Sequence, residues 1–448
     1  MNLSDLPLAD TTLTRAQLDA HWMPFTGNRQ FKSAPRMVVS AQGRHYLSAD
    51  GRQVFDGLSG LWTCGLGHGR DEIVQAIAAQ AATLDYAPAF QFGHPLSFRL
   101  AERIVQKMPA GLDRVFFVGS GSEAADTALK MARAYWRQKG QPSKTRLIGR
   151  AKGYHGVNFG GISVGGIAGN RKLYGEGIAA DHLPHTLLAA NAFSRGQPGQ
   201  GAHLADELLE LIALHDASNI AAVIVEPFAG SAGVIVPPVG YLQKLRRICD
   251  EHGILLIFDE VITGFGRAGA WTGAEAFGVK PDILTFAKQV TNGAVPMGGV
   301  VATSEIHDVF MAAGGPDYAV EFPHGYTYSA HPLACAAGLA TLELLEREDA
   351  PQRVREIAPV FEEKVHALRT ARHVTDIRNF GLAAGITIAS APGEPARRPF
   401  EVALRMWERG FYVRCGGDTL QFAPPFATTP AEIDSVVNAL GEALDEQA

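Results

Sequence analysis

AAVIVEP (residues 221–227), ILLIFDE (254–260) and DILTFAK (282–288) are three short, continuous apolar runs, the first two separated by a helical pattern, GYLQKLRRICDEHG (240–253). A strand with one wet face alternates apolar and polar residues; a strand buried on both faces does not, and that is the mark of a parallel sheet covered by helices. The pattern extends outward. VFFV (115–118) precedes a helix-like SEAADTALKMARAYWRQKG (122–140), and RLIG (146–149) follows it. The class is therefore α/β, with a mostly parallel central sheet in a large domain over 71–330. Glycine-rich stretches follow these strands: GSGS after VFFV, GFGRAG (264–269) after ILLIFDE, and GGISVGG (160–166) beyond RLIG. Ligands of open parallel sheets sit at the carboxyl ends of strands, which makes these the candidate site loops.

Beyond His331 the texture changes to a long Ala-rich helix, PLACAAGLATLELLERED (332–349), then strand-like pieces such as GITIAS (385–390), and a final amphipathic helix. This reads as a smaller C-terminal α+β domain over 331–448. The segment 1–70, with strand-like MVVSA (37–41) and GRHYLSA (43–49), is too short for a lobe of its own and is expected to pack on that domain.

Composition narrows the function. The chain has 448 residues, with 40 Lys+Arg against 46 Asp+Glu, a net charge of −6. It has no excess positive field for nucleic acid or an anionic membrane, so small molecules are the expected partners. Its four cysteines form no C-x-x-C pair, which fits a reducing, cytoplasmic setting and suggests neither a zinc knuckle nor a disulfide framework. The first twenty residues lack the basic and apolar regions of a signal peptide. No histidine pattern such as H-E-x-x-H points to a metal.

Three features carry chemistry. The segment GSGSEA (119–124) follows a strand and opens a helix; Ser120 and Glu123 fit a capping box, and the free amides of such a terminus also hold a phosphate. The same segment matches G-x-G-x-x-A, so an NAD-linked oxidoreductase is an alternative, but the next strand ends in Arg150 where a dinucleotide site needs an acid. Asp259 ends one apolar strand and Lys288 another. Burial there lowers a lysine's pKa, and a partly neutral amine forms a Schiff base with a carbonyl. A phosphate clamp, a strand-end acid for a pyridinium nitrogen and a strand-end amine for an aldehyde together match the needs of pyridoxal phosphate.

FDEVITGFGRAG (258–269) followed by PDILTFAK (281–288), with 29 residues from Asp259 to Lys288, resembles the class III pyridoxal-phosphate aminotransferases of fold type I. LDAHWMPFT (18–26), GLSGLWTCGLGHGR (57–70), FPHGYTYSAHP (322–332) and FYVRCGGDTLQFAPP (411–425) are similar to its ω-amino acid:pyruvate branch. The resemblance covers essentially the whole chain. It implies that Lys288 carries the Schiff base and shuttles the proton, and that Asp259 keeps the pyridine nitrogen protonated. Val261 and Tyr154 would flank the ring, Glu226 would lie near its hydroxyl, and Gly121 and Ser122 would hold the phosphate. Thr327 would reach that phosphate from a neighbouring subunit, giving a homodimer with shared sites; pairing of dimers into tetramers stays open.

For substrates, the resemblance implies an ω-amino acid such as β-alanine, or a primary amine, as donor and pyruvate as acceptor, with L-alanine formed by ping-pong half-reactions. Arg414 would grip the substrate carboxylate, while Trp62, Phe25 and Phe90 would wall the pocket. Other donors of the same family, 4-aminobutyrate, ornithine or a chiral arylamine, are the alternative. Two positions depart from the family pattern: Gly119 stands where Asp or Asn precedes Ser-Gly-Ser, and Ala268 replaces the threonine of GFGRTG.

Overall fold

The computed structural model describes residues 13–175, 177–313 and 315–447. The first twelve residues, part of the segment read above for a signal peptide, lie outside them. Near the N-terminus β1 (Val38–Gln42), β2 (His45–Ser48) and β3 (Gln53–Asp56) form an antiparallel meander. Seven strands then build the main sheet: β4 (Leu112–Val118), β5 (Arg146–Arg150), β6 (Ala180–Leu183), β7 (Ile220–Val225), β8 (Leu255–Asp259), β9 (Ile283–Ala287) and β10 (Gly298–Thr303). Their order is β4-β10-β9-β8-β7-β5-β6. From β9 to β6 every pair is parallel, and β7, β8 and β9 are buried at every residue, as their unbroken apolar runs require.

β10 is the exception, pairing antiparallel with both β9 and β4. Only Lys288–Met297 separate it from β9, too short a connection for the crossover that a parallel neighbour needs. Two reversals restore the original direction, so β4 runs the same way as β9. Gly298 pairs with Val118 on one side and Ala287 on the other. A Cβ on Gly298 would stand 2.6 Å from the Ser120 carbonyl oxygen, so only glycine lets the turn after β4 settle there.

The C-terminal strands are β11 (Val374–Phe380), β12 (Ala383–Ile388), β13 (Phe411–Tyr412), β14 (Arg414–Gly416) and β15 (Thr419–Phe422). Four of them form an antiparallel sheet in the order β11-β12-β15-β14, while β13 joins the N-terminal meander by pairing parallel with β3. Val413 alone lies between strands of two different sheets. One expected loop differs: within GGISVGG, residues up to Val164 belong to a short helix, Phe159–Val164. Among the described residues no helix is long and apolar enough to cross a membrane.

Candidate active site

Lys288, Glu226 and the 119–122 turn follow the carboxyl ends of the main-sheet strands β9, β7 and β4, and Asp259 is the last residue of β8. Parallel direction puts these ends on one edge. Two strand spacings through Gly298 set the ends of β4 and β9 about 10 Å apart.

Asp259 is 5% exposed and fully engaged. Its Oδ2 lies 2.8 Å from Nδ1 of the buried His155, and its Oδ1 accepts from the Thr285 hydroxyl and the Val261 amide at 3.2 Å each. The pairing of His155 Nδ1 with a carboxylate makes that nitrogen the donor. His155 Nε2 is buried without a partner. Thr285 comes to this site because β8 and β9 pair Asp259 with Thr285 in register.

Glu226 follows β7 and is also buried. Its Oε1 accepts from the Tyr154 amide at 2.9 Å and its Oε2 from the Gly230 amide at 3.0 Å, while Arg150 donates to its backbone carbonyl. Burial pushes the Glu226 carboxyl up to about 7; His155 opposes that rise and the Asp259 charge adds to it. For Lys288, burial lowers the ammonium to about 8 against the pull of Asp259, and Arg414 acts in the same direction as burial. Lys288 also sits at φ 54°, in left-handed backbone that L-residues rarely adopt. The strand stops there and a single 3₁₀ turn, Lys288–Thr291, begins.

At the other end the helix Gly121–Gln138 starts with Ser120 as N-cap, its Oγ accepting from the Glu123 amide. The expected reciprocal box forms with a shift: the Glu123 carboxylate takes the Gly119 amide at 2.5 Å instead of that of Ser120. The amides of Gly121 and Ser122, first in the helix, have no carbonyl acceptor within it and stand at its positive end. A Cβ on Gly121 would come within 3.0 Å of the Val261 side chain, which places Val261 against this turn. Gly156 (φ 89°) lies over Ser122, whose Oγ accepts from the Val157 amide.

Arg414, at the start of β14, is half-buried beside Gln421, and its charge reaches both Lys288 and Tyr154. The aromatic residues are scattered. Trp62 is 2% exposed within an apolar cluster that includes Phe228, Phe258 and Ile262, under the Arg267 guanidinium, and is core in this chain. Phe25 (71%) and Phe90 (51%) are exposed, Phe90 against Gly325. The single chain therefore does not join the three into one wall. Thr327 is exposed as well, its carbonyl accepting from the Tyr86 hydroxyl at 2.9 Å. At the departures from the family pattern, Gly119 offers its amide to Glu123, and Ala268 is buried.

The structure brings Lys288, Asp259 and the 119–122 turn, which sequence reasoning singled out, to one sheet edge; Thr285, the bond from Arg150 to the Glu226 carbonyl and the partner of His155 were not read from the sequence. The signal for Thr285 was its position three residues before Lys288 in a run otherwise apolar.

Residues 26–444 match the class III aminotransferase family, and the chain belongs to it. It is 61% identical to the β-alanine–pyruvate aminotransferase of Pseudomonas aeruginosa, over 98% of both chains, and 60% identical to the ω-amino acid–pyruvate aminotransferase of Pseudomonas putida, over 97% of both. An (S)-enantioselective ω-transaminase from Thermomicrobium roseum superposes with a TM-score of 0.89 at 33% identity, covering 96% of this chain and 97% of that one. The fold is thus that of the fold type I transaminases, and the cofactor is pyridoxal phosphate. The residues fit it: a buried, hydrogen-bonded carboxylate, a lysine with a lowered pKa and a glycine-lined helix terminus meet at one sheet edge.

Proposed function

We propose that this chain transfers the amino group of an ω-amino acid such as β-alanine, or of a primary amine, to pyruvate, forming L-alanine. The observation that carries the reading is Lys288, held in strained backbone at the end of β9 with its amine brought to about 8. Bound pyridoxal phosphate supplies an aldehyde for the amino nitrogen and a ring that accepts the electron pair left when the adjacent carbon loses its proton. Burial brings the Lys288 amine to about 8, which favours its neutral form; that amine would hold the cofactor through its aldehyde carbon and would take the proton from the carbon bearing the amino group. Asp259, oriented by His155 and Thr285, holds a proton on the ring nitrogen. Gly121 and Ser122 bind the phosphate through amide donors, Val261 and Tyr154 flank the ring, and Glu226 fixes the Tyr154 backbone.

Arg414 grips the substrate carboxylate through paired charge-assisted hydrogen bonds. Phe25 and Phe90 shape the pocket once two chains assemble, with Thr327 reaching the partner's phosphate site in a homodimer, while Trp62 supports the site from the core. The chain is divided at about residues 70 and 330, as its sequence texture suggests, and works in the cytoplasm.

The test is spectroscopic. β-Alanine bleaches the visible absorption of the holoenzyme, and pyruvate restores it where 2-oxoglutarate does not. Bleaching by 4-aminobutyrate or ornithine but not by β-alanine would reassign the donor. Arg414→Ala is expected to raise KM for β-alanine by about 10- to 100-fold, the worth of hydrogen bonds to a charge, and to leave KM for an amine without a carboxylate within about twofold. Equal rises for both donors would remove Arg414 from carboxylate recognition.

A further inference from the structure

We propose that Gln421 is a positioning residue for substrate recognition: its side-chain amide holds the Arg414 guanidinium in place without cancelling its charge, and so sets the preference for substrates that carry a carboxylate. The proposal rests on the reading of Arg414 given above.

The C-terminal sheet carries one unbroken row of residues across its strands. Arg378 of β11 pairs with Gly385 of β12, Gly385 with Gln421 of β15, and Gln421 with Arg414 of β14. Residues directly opposite one another in antiparallel strands share a face, so all four stand on the same side of the sheet. The loop after β7 lies on that side. Arg378 Nε donates to the Gly233 carbonyl at 2.7 Å, and Gln421 Nε2 donates to the Ser231 carbonyl at 2.9 Å. A Cβ on Gly385 would stand 2.1 Å from the Gly233 carbonyl oxygen, and one on Gly416 would stand 2.9 Å from Gln421 Nε2, so the loop and the amide both occupy space that only glycine leaves open. The other end of the loop is fixed beside the cofactor residues, where Glu226 Oε2 takes the Gly230 amide. A short path therefore leads from Glu226 through Gly230, Ser231 and Gln421 to Arg414.

The two arginines of the row are used differently. Arg378 is buried and paired with Asp376 at 2.6 Å, which neutralises it within a structural tie. Among the described residues Arg414 makes no ion pair; its Nη1 donates to Gln421 Oε1 at 3.5 Å. The orientation of that amide follows from its surroundings. A backbone carbonyl only accepts, so the nitrogen of the fully buried Gln421 faces Ser231 and the oxygen is left for Arg414. A neutral oxygen at the outer limit of hydrogen-bond length steers the guanidinium without saturating it. A substrate carboxylate, whose bonds to arginine are shorter and about twice as strong, displaces that contact and meets an uncancelled positive charge. A carboxylate in place of the Gln421 amide would do the opposite and keep Arg414 in an internal ion pair.

The experiment compares the wild-type holoenzyme with Gln421→Glu, Gln421→Met and Arg414→Ala. One readout is the ratio of KM for β-alanine to KM for propylamine, which lacks a carboxylate. The other is the Kd of propionate, a carboxylate with no amine to transfer, measured by calorimetry. Gln421→Glu is expected to raise the ratio and the Kd by about tenfold or more, as befits hydrogen bonds to a charged group. Gln421→Met, close in volume and without either hydrogen-bonding end, is expected to raise both by about threefold, because the contact it removes is long. If one of the two fails to fold, the other decides. In the Arg414→Ala background each change should add less than about twofold, since residues that act through one contact are not additive. An unchanged KM ratio, unchanged propionate binding in folded variants, or a full effect in the Arg414→Ala background would each overturn the proposal. Selective loss of carboxylate recognition in Arg414→Ala but not in the Gln421 variants overturns this proposal alone. Loss without selectivity in Arg414→Ala removes the reading on which it stands.

Discussion

Lys288→Ala is expected to lower kcat by about 10³-fold or more with the fold intact, measured by single-turnover loss of the visible absorption on adding donor. Two functions vanish with one side chain. On the proposed mechanism the amine that would bond to the cofactor is gone, and so is the base that would move the proton, a role worth about 10²- to 10⁴-fold by itself. Alanine is tolerated structurally because it leaves the β9 hydrogen bonds alone and removes an amine whose burial opposed its charge. The left-handed φ at this position remains a local strain in either variant. A small exogenous amine should restore part of the proton transfer, separating the chemical loss from any collapse of the site. Full turnover in this variant would refute the mechanism.

Asp259→Asn ranks second, with an expected drop in kcat of about 10²-fold or more and weaker retention of the cofactor, read as its release on dialysis. The change is nearly isosteric, so packing against Thr285 and Val261 survives. The negative charge does not, and a ring nitrogen facing a neutral amide loses the partner that keeps its proton. His155 sharpens the expectation. Its Nδ1 donates to the carboxylate at 2.8 Å and its Nε2 has no other partner, so the variant leaves a buried imidazole without the anion it serves. An Asp259→Asn enzyme that kept both its cofactor and its rate would show that the ring needs no anion here.

Much of this was legible in the sequence for one physical reason: strands buried on both faces must be apolar throughout, so a polar residue at their ends stands out. Asp259 and Lys288 are such residues. β10 and β6 were harder to see. GGVVAT is led by glycines, and ADHL is a partly wet edge strand, so neither has the unbroken apolar run of its neighbours. The capping box was read correctly in its residues but not in its register, because Glu123 reached the amide of Gly119 instead of that of Ser120. The aromatic walls were the least legible part. An aromatic side chain fits a core as well as a pocket, and only the fold shows that Trp62 is enclosed while Phe25 and Phe90 face outward.

The reversed strand between β4 and β9 acts as a calliper. Its jaws, the 119–122 turn and Lys288, are spaced by the backbone pairing of Gly298 with Val118 and Ala287. Arg414 lies outside that interval on β14, and Phe25 and Phe90 lie outside it at exposed positions. With the substrate roles proposed above, changes at those positions would redirect the donor without touching the main-chain spacing on which the cofactor residues are set.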